Sequence, residues 1–191
     1  MDTLLFLKRL KSLRFDSVAL KRKGFDKEYV SDILRAFSPK KEDKESESTN
    51  SLIKFVEEYE TEFSLISNIS LNGKVEYSGK YVLFGWLRGE DPLAINTKTN
   101  EVVSFANWDY NTIIFYCAEN STKFMEAFLV HGVGNLDIEF KTDEMRWTSN
   151  LDKAKMAAKV AGGDKYYKFW ESLYPTDDGK VENPNDYGFL N

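Results

Sequence analysis

The stretch Tyr81–Phe105, YVLFGWLRGEDPLAINTKTNEVVSF, constrains the fold more than any other part of the chain. Apolar positions recur at period two through Leu93, Ile95 and Val102, while Gly85, Gly89 with Asp91-Pro92, and Lys98-Thr99-Asn100 interrupt them. That pattern predicts three strands joined by two short turns. The same stretch carries no paired nucleophile and base, no cluster of metal ligands and no glycine loop of the kind that cradles phosphate. A β-meander with chemically quiet turns implies a surface for binding.

The flanks divide by period. Leu4, Leu5, Leu7 and Leu10, with Lys8, Arg9 and Lys11 between them, predict an amphipathic helix ending near Phe15. Asp26 is placed to cap a second helix, in which Tyr29, Val30, Ile33, Leu34 and Phe37 recur at helical spacing. Ser38-Pro39 stops it, because proline disfavours helical backbone in the residue before it. Residues 40–50, KKEDKESESTN, hold no apolar side chain and predict a flexible, solvated loop. Asn50 or Ser51 then caps a helix through Leu52, Phe55, Val56 and Tyr59, whose acidic face holds Glu57, Glu58, Glu60 and Glu62.

From Phe63 the period changes to two. Phe63, Leu65 and Ile69 to Leu71 run into Asn72-Gly73, a dipeptide suited to a tight hairpin, and Val75-Glu76-Tyr77 returns. After the meander, Thr112–Ala118 reads as a buried strand from its β-branched and aromatic content. Asn120-Ser121-Thr122 opens a helix with Phe124, Met125, Phe128 and Leu129 inward, closed by Gly132. A helical extension occupies 143–174: Asn150 caps residues 151–161, Gly162-Gly163 ends them, and Asp164 starts a helix carrying Tyr167, Phe169, Trp170 and Leu173.

The expected fold is therefore a single α+β domain over residues 1–191, a twisted, mainly antiparallel sheet of about six strands flanked by N- and C-terminal helices. The meander and its sequel, FGWLRGEDPLAINTKTNEVV and FYCAENSTKFMEAFL, resemble the SUKH superfamily. Gly89, Asp91, Leu93, Ile95, Val102 and Val103 stand at the matching positions over a core of about residues 52–130. Asn96 replaces a common aspartate, and Arg88-Gly89-Glu90 a more glycine-rich turn. The resemblance implies the same fold. It also implies a function among bacterial immunity proteins, which bind and inactivate a cognate toxin, often a nuclease, or among regulatory scaffolds.

Charge and composition bound the rest. Residues 1–41 hold 11 Lys and Arg against 5 Asp and Glu, a net +6, which leaves 15 against 26, a net −11, for the body. Such a body repels phosphate backbones and attracts basic proteins, so the partner is expected to be a basic protein and not nucleic acid, which makes the toxin that the resemblance implies a basic one. No membrane span or signal peptide is read, and with Cys117 the sole cysteine no internal disulfide forms, so the cytoplasm is the expected location.

Cys117 and the sole histidine, His131, are the only elements of a thiol hydrolase, and Cys117 lies in an apolar strand where cysteine is usually a small core residue. One histidine and one cysteine are too few for a zinc site. Glu58 and Glu62 share a predicted helix face and can chelate a hard cation, against the plainer reading of a solvated face. The reading is of a binding protein with no catalytic residue, metal or cofactor. Its candidate partner-binding residues are Trp86, Arg88, Glu90 and Asp91 in one turn, Trp108, Asp109 and Tyr110 in another, and Glu57, Glu58 and Glu62 on the acidic helix.

Overall fold

The computed structural model describes residues 1–13, 18, 21, 26–65, 67–107, 109–138 and 143–174. Helix α1 (Thr3–Ser12) opens with the Asp2 carboxylate accepting from Leu5 N, and α2 (Lys27–Ala36) with Asp26 accepting from Tyr29 N, each at 2.7 Å. Both caps satisfy an amide that has no partner inside the helix. In α1 the inward residues are Thr3, Phe6, Leu7 and Leu10, while Leu4 and Leu5 face outward. In α2 Val30 and Ile33 are buried, while Tyr29 and Leu34 of the same spaced set are exposed. A helix of ten residues buries only one narrow stripe, and apolar content exceeded it here.

Strand β1 (Lys40–Lys41) pairs antiparallel with β2 (Tyr59–Glu60), with helix α3 (Ser51–Glu58) between them. Residues 40–50 are largely exposed, as their composition requires, yet they begin as a strand and then hydrogen-bond along their length. Glu42 N donates to Glu58 O at 2.8 Å, Ser46 N to the Glu58 carboxylate at 3.1 Å, and Asn50 N to Ser48 Oγ at 3.1 Å. Asn50 caps α3 as expected, its side-chain oxygen accepting from Leu52 N and Ile53 N, and its amide nitrogen reaches Ser121 Oγ at 2.8 Å.

Phe63–Leu65 is a 3-10 turn, not the start of a strand. Strand β3 (Ile69–Ser78) then runs without reversal through Asn72-Gly73. Those residues fall in a bulge, because Leu71 pairs with Gly85 and the next pair is Glu76 with Leu83. The reversal comes later, at Ser78 to Tyr81, where Gly79 has a φ of +57°. Strands β4 (Tyr81–Leu87), β5 (Asp91–Asn96) and β6 (Val102–Ala106) are the predicted meander, and β7 (Asp109–Ala118) completes an antiparallel sheet in the order β3-β4-β5-β6-β7. Gly85 lets β3 close on β4, since a Cβ there would lie 2.4 Å from Ser70 O.

Helix α4 (Ser121–Ile138) passes straight through Gly132, whose φ is not among the positive values that end a helix. A helical glycine costs about 1 kcal/mol relative to alanine, too little by itself to stop a helix. Helix α5 (Asp143–Ala161) begins seven residues before the expected cap, so Asn150 is a buried mid-helix residue. Gly162 and Gly163, at φ +129° and +118°, end it as expected, and a 3-10 turn (Asp164–Tyr166) leads into α6 (Tyr167–Ser172). The expectations placed on Phe15 and Trp108 lie outside the described residues.

The sheet buries both faces, which explains why β4 reads as a nearly continuous apolar run. Val82, Phe84, Leu87, Leu93, Ile95 and Val102 join the helices in the main core. The alternate residues Tyr81, Leu83, Ala94, Val103 and Phe105 form a smaller cluster on the opposite face.

Candidate functional site

The turn from β4 to β5 and the turn from β6 to β7 lie at the same end of the meander, and one hydrogen bond joins them. Arg88 and Gly89 carry φ of +54° and +77°, and Glu90 N closes the first turn on Leu87 O at 3.2 Å. The Asp91 carboxylate accepts from Asn107 N, in the second turn, at 2.8 Å. Glu90, Asp91 and Asp109 are therefore gathered on two short, mutually braced turns, with Glu90 and Asp109 exposed.

Asp109 is itself ordered. Its carboxylate accepts from Thr112 Oγ1 at 2.6 Å and from Asn111 N at 3.0 Å, and these bonds, that from Thr112 foremost, hold its pKa below the ordinary carboxylate value. Tyr110 packs edge-on against Phe105, ring centres 5.6 Å apart, and burial with the nearby Glu76 charge raises its phenol pKa. The end thus presents fixed carboxylates beside a half-buried ring.

Two of the proposed residues serve the fold. The Arg88 guanidinium donates to Ser172 O at 2.7 Å, tying the turn to the C-terminus of α6, where a cation is favoured by the helix dipole. Trp86 is half-buried within β4, opposite Ser70 and Pro92, and belongs to the strand and not to the turn. Trp108 lies outside the described residues. Sequence reasoning passed over Asn107, the donor that joins the turns; its φ of +34° is a conformation that asparagine tolerates better than most residues.

The acidic helix face does not survive as one surface. Glu58 is buried, holding Ser46 N and ion-paired with Lys54 Nζ at 3.6 Å. Glu57 accepts from Ser46 Oγ. Glu62 lies beyond the end of α3 and pairs with Arg35 Nε at 3.2 Å, so it shares no helix face with Glu58. Among the described residues no group of three or more His, Cys, Asp and Glu side chains is placed to hold a metal ion.

Cys117 and His131 are both fully buried. Burial pushes the thiol pKa up, which disfavours the thiolate that nucleophilic chemistry needs, and the thiol points to Phe115 O at 3.8 Å. His131 Nε2 lies 3.2 Å from Ser67 Oγ, and burial lowers the imidazole pKa from 6.5 to about 3. Trp170 lies against both residues, donating its indole N–H to Cys117 O at 3.0 Å and placing its ring 6.0 Å from that of His131. This is the packing of a core.

Among the described residues no helix is long and apolar enough to cross a membrane. No protein-family model matches the chain, and neither a curated protein nor a solved structure matches it.

Proposed function

We propose that this is a SUKH-type immunity protein of the bacterial cytoplasm, which neutralises a basic cognate toxin, most simply a nuclease, by stoichiometric binding. The observation that carries the reading is the Asp91–Asn107 bond, which braces two turns so that Glu90, Asp91 and Asp109 share one end of the meander. The Asp91 and Asp109 carboxylates, fixed before encounter, lose little entropy on binding, and a body of net charge −11 steers a basic partner toward the protein. The residues that carry the family resemblance fall where such a core needs them: Gly89 in the turn at positive φ, Leu93 and Ile95 buried on β5, Val102 and Val103 buried on β6. A buried thiol of raised pKa and a histidine engaged with Ser67 speak against the thiol hydrolase.

The test is co-expression with any toxin that a gene adjacent to this one is found to encode. Growth should be rescued by the native chain and lost with Glu90→Gln/Asp91→Asn/Asp109→Asn, which removes three charges while asparagine at 91 still accepts from Asn107 N. The association rate should fall steeply with salt, since surface charges are screened within about 10 Å at 0.1 M ionic strength. Binding without rescue would favour a regulatory scaffold; full rescue by the neutralised variant would remove this end of the sheet from the interface.

A further inference from the structure

On the α3 side of β3, away from the braced turns, the outer strand and residues 44–48 enclose an open cleft of about 690 Å³. One wall is the polar segment Lys44 to Ser48, and the other is Lys74 and Tyr77 of β3, with Glu57 of α3 at the base. The wall without apolar residues is held in place by side-chain bonds: Ser46 donates to Glu57, and Ser48 N donates to Ser46 Oγ at 3.1 Å. The opposite wall belongs to β3, which among the described residues pairs with β4 alone, so no other strand is paired along its outer edge. Tyr77 is 76% exposed, more than any other large apolar or aromatic side chain described.

The charges in the cleft are not equivalent. Lys44 is held by Glu42 at 2.5 Å, whereas the carboxylates Glu45 and Glu47, and on the opposite wall the single cation Lys74, form no ion pair among the described residues. An exposed ring beside two unengaged carboxylates, along an open strand edge, fits one side chain best. A guanidinium stacks on an aromatic face and bonds a carboxylate through its planar fork, which an ammonium does not do. An extended backbone carrying it has a strand edge to lie against.

We propose that this cleft takes an extended, arginine-bearing segment of a protein partner, with the guanidinium stacked on Tyr77 and paired with Glu45 and Glu47. The inference rests on the reading of the chain as a binder of a basic protein and adds a second contact region to it.

The probe is a capped Gly-Arg-Gly-Arg-Gly peptide, with its lysine counterpart, titrated at low salt into ¹⁵N-labelled full-length protein. Amide shifts should concentrate in residues 44–48 and 74–77, and the arginine peptide should bind more tightly than the lysine one. Glu45→Gln/Glu47→Gln should weaken both by about fivefold or more, and Tyr77→Ala should narrow the arginine preference. All three side chains are exposed, so an unchanged spectrum of the free variants verifies the fold. Shifts spread evenly over the acidic surface, equal affinity for the two peptides, or variants that bind as the parent does would each overturn the proposal. Shifts centred on Glu90, Asp91 and Asp109 would overturn it while leaving the proposed function standing. Cleft binding by a protein that fails to rescue growth would uphold the cleft and remove the immunity reading.

Discussion

His131 makes the stability of this protein pH-dependent in a calculable way. The imidazole is fully buried, 3.2 Å from Ser67 Oγ and ringed by Phe128, Trp170 and Tyr174, with the Tyr174 ring centre 5.0 Å away. Burial lowers its pKa from 6.5 to about 3, so the folded protein holds it neutral in a range where the unfolded chain binds a proton. The unfolded state binds more protons in that window, so stability rises with pH through it and falls as the pH drops from 6.5 toward 3. The slope approaches ~1.4 kcal/mol per pH unit, which amounts to about 2 kcal/mol lost between pH 7.5 and pH 5.

Carboxylates contribute their own pH dependence, so the measurement is a difference. Urea unfolding of the native chain and of His131→Gln, at half-unit steps from pH 7.5 to 5, gives two stability profiles. The substitution carries a pH-independent cost that offsets one profile from the other. The gap between them should shrink by about 2 kcal/mol on acidification, because glutamine has no proton to take up. Parallel profiles would show that His131 titrates alike in both states, and the argument from burial would be refuted.

Three further outcomes follow from the packing. Gly85→Ala places a Cβ 2.4 Å from Ser70 O and should destabilise by about 1–3 kcal/mol in the same assay, since backbone on an adjacent strand cannot yield as a side chain does. Asn50→Ala removes the cap bonds to Leu52 N and Ile53 N together with the link to Ser121, and should cost about 1–2 kcal/mol and speed amide exchange in the first turn of α3. Tyr174→Phe deletes a buried hydroxyl that has no hydrogen-bond partner among the described residues, and should leave the melting temperature unchanged or raise it.

The local elements of this protein were determined by the sequence itself, wherever a few adjacent residues settle the matter. Asp26 and Asn50 cap helices because the bond they make spans two or three residues, and Gly162-Gly163 ends a helix because positive φ is a property of the residue alone. Period two located the three strands of the meander, since alternation needs no knowledge of what covers each face. The tertiary structure decided everything that depended on a distant partner. Asn72-Gly73 favours a hairpin only if a return strand is adjacent, and here β4 pairs on both sides of a bulge instead. Gly132 ends a helix only if the backbone there turns to positive φ, and α4 instead continues through it to Ile138. The candidate surface divided for the same reason. Glu90 and Asp109 stayed exposed, while Arg88 was taken by Ser172 and Glu58 by Ser46 and Lys54, 84 and 12 residues away for the bonds from Arg88 and Ser46. A charged side chain in a sequence is only a capacity to bind; the chain itself is the first partner to reach it, and which capacities remain for another molecule is known only once the fold has drawn on them.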